Sequence, residues 1–130
     1  MRAEVESQEW AAVLPRHTNG RYEAVALTRA MDLVEEAIAM RHCADQFAKE
    51  CAKGGVTVYS LRDAETHQRI ATFCARLKTE YADFYDIKRS LNRLPSEEEV
   101  SFAHLTIDAL NERLRADRVA AASRGETSES

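Results

Sequence analysis

Residues Met40 to Arg62, MRHCADQFAKECAKGGVTVYSLR, decide how the rest of the chain is read. The stretch opens on a polar, reactive trio (Arg41, His42, Cys43) and continues as a helix. Cys43, Phe47 and Cys51 share one side of that helix, with Ala44 and Ala48 beside them. Gly54-Gly55 stops it, because glycine takes the left-handed conformation a helix end needs. Val56 to Leu61 (VTVYSL) then reads as the strongest strand in the chain, dense in β-branched and aromatic residues.

Upstream, Leu27, Met31, Val34 and Ile38 step at helical period behind Thr28, the expected cap, with Asp32, Glu35 and Glu36 off the stripe. The phase changes around Met40–His42, which predicts two helices or one bent helix with His42 and Cys43 at the joint. Residues 4–14 (EVESQEWAAVL) predict a short helix ended by Pro15. Pro15 to Gly20 (PRHTNG) is turn chemistry, and Arg21 to Leu27 reads as a strand, an edge one.

Downstream, Ile70–Leu77 and Tyr81–Lys88 predict two more strands, joined through the polar 62–69 segment and a tight reversal at Lys78–Glu80. Short connections between consecutive strands favour an antiparallel meander. Ser96 followed by Glu97, Glu98 and Glu99 is a capping box. Beyond it Val100, Ala103, Ile107, Leu110 and Leu114 mark a long helix. Phe102, Leu105 and Ala109 widen its apolar stripe, which either covers the sheet or meets a partner subunit. The expected fold is therefore α+β: a small antiparallel three- to four-stranded sheet packed against helices on one face. Residues 1–20 form its N-terminal helix and turn, 21–122 the domain, and 123–130 (SRGETSES), with no apolar side chain, a disordered tail.

The chain has 130 residues and a net charge of −4, enough for one domain burying roughly two-thirds of its unfolded surface. No apolar run approaches the roughly 20 residues of a membrane span, and the acidic start MRAEVESQEW does not read as an export signal. A cytoplasmic location with no membrane partner is the expectation. The three cysteines, Cys43, Cys51 and Cys74, lack CxxC spacing and read as reduced thiols. Residues 62–93 carry seven basic and five acidic side chains, a mildly basic segment inside an acidic chain. That segment makes nucleic acid a candidate partner beside protein.

The ordered set LxEEAxxMxHC, CAxGxxxVYSLR, RxAT and NRxPS resembles the PcfJ-like family over about residues 22–114. The resemblance rests on Leu33, Glu36, Met40, His42, Cys43, Cys51, Gly54, Tyr59, Ser60, Leu61, Arg62, Arg69, Ala71, Thr72, Asn92, Arg93, Pro95 and Ser96. It implies a protein of phages, conjugative plasmids or other mobile elements, without a settled activity. Its recurrent polar positions imply a site at His42, Cys43, Ser60, Arg62 and Asn92. The chain departs from the pattern at Ala44 and Phe47, where the family has Val and Tyr. Thr72-Phe73-Cys74 replaces a T-L-E strand, and Asp86–Arg89 replaces Q-x-R-G. The lost strand carboxylate removes an obvious general acid or base.

Each candidate has two readings. His42 is a general base or anion contact, or else a helix cap at the bend. Cys43 is a nucleophile if His42 or Arg41 lowers its pKa, or else inert packing on the buried stripe. A metal at His42 and Cys43 needs two further ligands, and His17, His67 and His104 lack ligand spacing; no metal or cofactor is expected. Arg62 holds a phosphate or carboxylate, or pairs with Asp63 or Glu65. Lys88, Arg89 and Arg93 around Asn92 extend an anion surface or are a solvated charge run.

The functional expectation is binding of a macromolecule, a protein above all, through His42, Ser60, Arg62, Lys88, Arg89 and Asn92. An inhibitor of a host defence system fits that description, as does a conjugation adaptor. The rival is an enzyme acting on a nucleotide or nucleic acid. There His42 moves a proton, Arg62 and Lys88 neutralise phosphate, and Asn92 orients the substrate.

Overall fold

Among the residues that the structure describes, five strands form one antiparallel sheet in the order β1-β2-β3-β4-β5. The structure is a computed structural model that describes residues 8–41 and 44–124, excepting the side chains of Asp45 and Asn92. The strands are β1 (Arg16–Thr18), β2 (Tyr22–Ala26), β3 (Val56–Asp63), β4 (Arg69–Leu77) and β5 (Ala82–Arg89). Each pairs with its neighbours in sequence, so the sheet is the expected meander. Its fifth member comes from the stretch expected to be turn only. Asn19 Oδ1 accepts the backbone N–H groups of Arg21 and Tyr22, and Gly20 sits at φ 92°. The turn therefore closes in three residues and releases Arg16–Thr18 to pair with β2. β2 is thus an inner strand, and β1 takes the edge.

The helix expected over residues 4–14 does not form in its described part, 8–14. This segment is laid along the sheet: Glu9 bridges Arg29, Trp10 N donates to Thr28 O, and Trp10 Nε1 donates to Leu27 O at 2.9 Å. Tyr59 Oη donates to Leu14 O at 2.8 Å. An isolated helix of that length is marginal in water, and these long-range partners outbid its internal hydrogen bonds.

The helices are α1 (Ala30–Met40), α2 (Ala48–Ala52) behind a 3₁₀ turn at Ala44–Phe47, and α3 (Glu97–Ser123). They cover both faces of the sheet, a correction to the expected single face. Tyr59, Leu61, Ala71 and Phe73 pack with Phe102, Ala103, Ile107 and Leu110 of α3. Val56, Val58 and Cys74 pack with Leu33 and Ala37 of α1 and Ala48 and Cys51 of α2. Successive side chains of a strand point to opposite faces, so Val56 and Val58 on one side and Tyr59 and Leu61 on the other each require a cover.

α1 itself is rotated from its expected stripe. Its buried residues are Ala30, Leu33, Glu36, Ala37 and Met40, while Ile38 is 72% exposed. Arg29, not Thr28, is the cap, and it makes no side-chain cap bond. Arg41, left-handed at φ 56°, ends the helix, which agrees with the expected joint at that point. α3 begins on the expected capping box, Ser96 and Glu99 each bonding the other's backbone. No described helix is long and apolar enough to cross a membrane.

Candidate functional site

A β-bulge builds the centre of the site. Along β4, Thr72 pairs with Ser60 and Ala71 with Leu61, but Arg69 pairs with Arg62, leaving Ile70 as an extra residue. The extra residue reverses the alternation of the strand at that point. Without it Arg69 would share the α3 face with Ala71 and Phe73. With it, Arg69 turns toward α1, beside Arg62 and directly opposite it.

Glu36 of α1 meets this row from above. Its carboxylate, completely buried, accepts Arg69 Nε at 2.8 Å and Thr72 Oγ1 at 2.5 Å. A buried carboxylate persists when charge-assisted hydrogen bonds replace its water, which these two donors do. Arg62 Nε donates to the buried Ser60 hydroxyl at 3.0 Å. Among the described residues Arg62 has no carboxylate partner. The ion pairs expected with Asp63 or Glu65 are not made. Asp63 instead accepts the N–H groups of Glu65 and Thr66, and the Thr66 and Glu65 backbone donors hold its carboxyl below the usual range.

Two acids near Arg62 are committed elsewhere. Glu23, opposite Arg62 on β2, binds Arg16 at 2.7 Å and His67 Nδ1 at 2.9 Å. Asp32 binds Arg29 at 2.6 Å and accepts Thr28 N. Arg62 and Arg69 open into a cleft of about 220 Å³ lined also by Val25, Ala26, Leu27, Asp32 and Glu35.

A second cleft, of about 540 Å³, lies where the end of α1 approaches the segment after β5. Met40, Gln68, Arg69, Arg89, Ser90, Arg93 and Leu94 contribute to it. Arg89 pairs with Glu99 at 3.5 Å, and Arg93 Nε donates to Ser90 O at 3.2 Å. The 3₁₀ turn Ser90–Asn92 holds Leu91 at φ 59°, and Leu91 and Leu94 are 54% and 83% exposed.

Of the residues expected to form the site, Ser60, Arg62 and Lys88 lie on the α1 face, Lys88 opposite Thr72 on β5. Arg89 pairs with Ala71 and turns to the opposite face, against Glu99 of α3, so it is separated from the first cleft. Asn92 lies in the turn beyond β5, and its side chain, like His42 and Cys43, falls outside the described residues.

Glu36, Arg69 and Thr72 meet in this row, although the sequence marked them only through the PcfJ-like resemblance. The signal for Glu36 was there: it stands three after Leu33 and four before Met40, inside the true buried stripe. Burial pushes Cys51 and Cys74 up to about 12, far from the thiolate a nucleophile needs. Among the described residues no group of His, Cys, Asp and Glu could hold a metal ion.

Compared with known proteins, the chain matches no family model, no curated protein and no solved structure.

Proposed function

We propose that the chain is a small PcfJ-like protein that works by binding a protein partner rather than by turnover, and that the second cleft and its rim carry the contact. The observation behind this reading is the proximity of Arg69, Arg89 and Arg93 to two strongly exposed leucines, Leu91 and Leu94, on the segment after β5. Arginine is enriched at protein interfaces, and exposed apolar side chains beside it offer area to bury there. The local charge is also already reduced, since Glu36 and Glu99 pair with Arg69 and Arg89. Leu91 adds a second reason. A leucine held in the left-handed region costs about 1 kcal/mol, and such strain concentrates at working sites.

The complementary partner is a protein segment with an acidic side chain flanked by apolar ones. Among the described residues, the Glu36 carboxylate is committed to Arg69 and Thr72, and the Cys51 and Cys74 thiols are buried. An inhibitor of a host system is the biological form of this reading that the family resemblance favours.

A photo-reactive amino acid placed at Leu94, and in a separate variant at the exposed Leu105 of α3, tests it in host cells. Position 94 is expected to yield a discrete adduct with one host protein, lost on Arg93→Glu, while position 105 yields none. Equal adducts at both positions, or an adduct indifferent to Arg93→Glu, would sink the reading.

A further inference from the structure

The first cleft contains an arrangement that protein binding at the rim does not use. Two arginines face each other across β3 and β4, and directly opposed like charges on a sheet destabilise it. Both are held by Nε: Arg62 by Ser60 Oγ, Arg69 by Glu36 Oε1. Their terminal Nη groups make no hydrogen bond among the described residues. Arg16 is paired with Glu23 and Arg69 with Glu36, whereas Arg62 has no carboxylate partner among the described residues.

We propose that Arg62 and Arg69 together bind one oxyanion, a phosphate or a carboxylate, in the cleft between β2–β3 and the first half of α1. Locking each Nε orients both planar forks before the ligand arrives, which lowers the ordering cost of a two-point contact. Val25, Ala26 and Leu27 form one side of the cleft, so the two guanidinium groups present their free edges beside an apolar strand end. Glu23, Glu36 and Asp32 are each engaged elsewhere and do not compete for Arg62. Glu35 is the one cleft acid that has no hydrogen bond or ion pair among the described residues. It stands exposed at the rim, where its charge opposes an incoming anion. The site needs no macromolecular partner, so its failure leaves the protein-binding reading standing.

The test is an NMR titration of arginine side-chain Nε–H signals with inorganic phosphate and, separately, with acetate, against a chloride control of equal ionic strength. Saturable shifts at Arg62 and Arg69 are expected with at least one oxyanion, and the tighter of the two names the source as phosphorylated or carboxylic. Arg62→Gln is expected to weaken binding about tenfold, and Glu35→Gln to tighten it about threefold. Arg62→Lys keeps the charge but loses the fork, so it is expected to bind severalfold more weakly even if Arg62→Gln proves unfolded. Shifts that match the chloride control overturn the proposal, as does an Arg62→Lys variant that binds like the parent.

Discussion

Arg69 of β4 reaches Glu36 of α1, Nε to Oε1 at 2.8 Å, because Ile70 is an extra residue in its strand. One bulge thus joins the sheet to the helix above it through a buried ion pair. Replacing Arg69 by Ala leaves a wholly buried carboxylate with Thr72 as its remaining described partner. Arg69 is itself one-third exposed, so the expected cost lies at the lower end for such pairs, about 3 kcal/mol. Urea denaturation measures it. A loss below about 1 kcal/mol would mean that water already serves the carboxylate.

His17 of β1 stacks on Phe102 of α3, ring centroids 5.3 Å apart, and its Nδ1 lies 2.9 Å from Thr106 Oγ1. Thr106 spends its only hydroxyl hydrogen on Phe102 O, so the imidazole must be the donor. Burial lowers the pKa of His17 below 6.5. The folded state therefore prefers the neutral ring, and stability falls as pH drops through 6.5 toward the lower folded value. His17→Phe keeps the stacking and cannot titrate. The melting temperature of wild type relative to this variant is expected to fall between pH values of about 7.5 and 5.5. A constant difference across that range would refute the assignment.

Leu91→Gly removes the left-handed strain in the turn after β5. Stability is expected to rise by up to about 1 kcal/mol, since glycine adopts that conformation freely. The photo-adduct at position 94 should weaken in the same variant, because an exposed apolar contact is gone. If denaturation instead shows a loss of stability, Leu91 is packing against the fold rather than waiting for a partner.

Cys51 and Cys74 are buried and free, with thiols raised to about 12 by desolvation. In a Cys43→Ala variant, native protein at mildly alkaline pH is expected to release no chromophore from a disulfide reagent, and two equivalents after unfolding. Rapid native reaction would expose a path to this second core.

Much of the architecture was legible locally. Gly54 at φ 83°, the VTVYSL strand, the reversal at Lys78–Glu80 and the Ser96–Glu99 box each depend on neighbours within a few residues. β1 was hidden because Arg16–Thr18 is too short to show alternation, and Trp10 was misread because its partner, the Leu27 carbonyl, lies 17 residues away. The phase of α1 failed on Glu36. Counting apolar residues places an acid outside, and only Arg69 and Thr72, 33 and 36 residues on, make its burial affordable.

By itself, the order of residues determined an antiparallel meander with helices, the ends of its long helix and an arginine at the tip of the central strand. Tertiary structure decided which arginines share a face, because the single extra residue Ile70 turns Arg69 to the other side of β4. Periodicity reports the face within a strand, but the register between two strands is settled only when both have packed, and charge placement follows register.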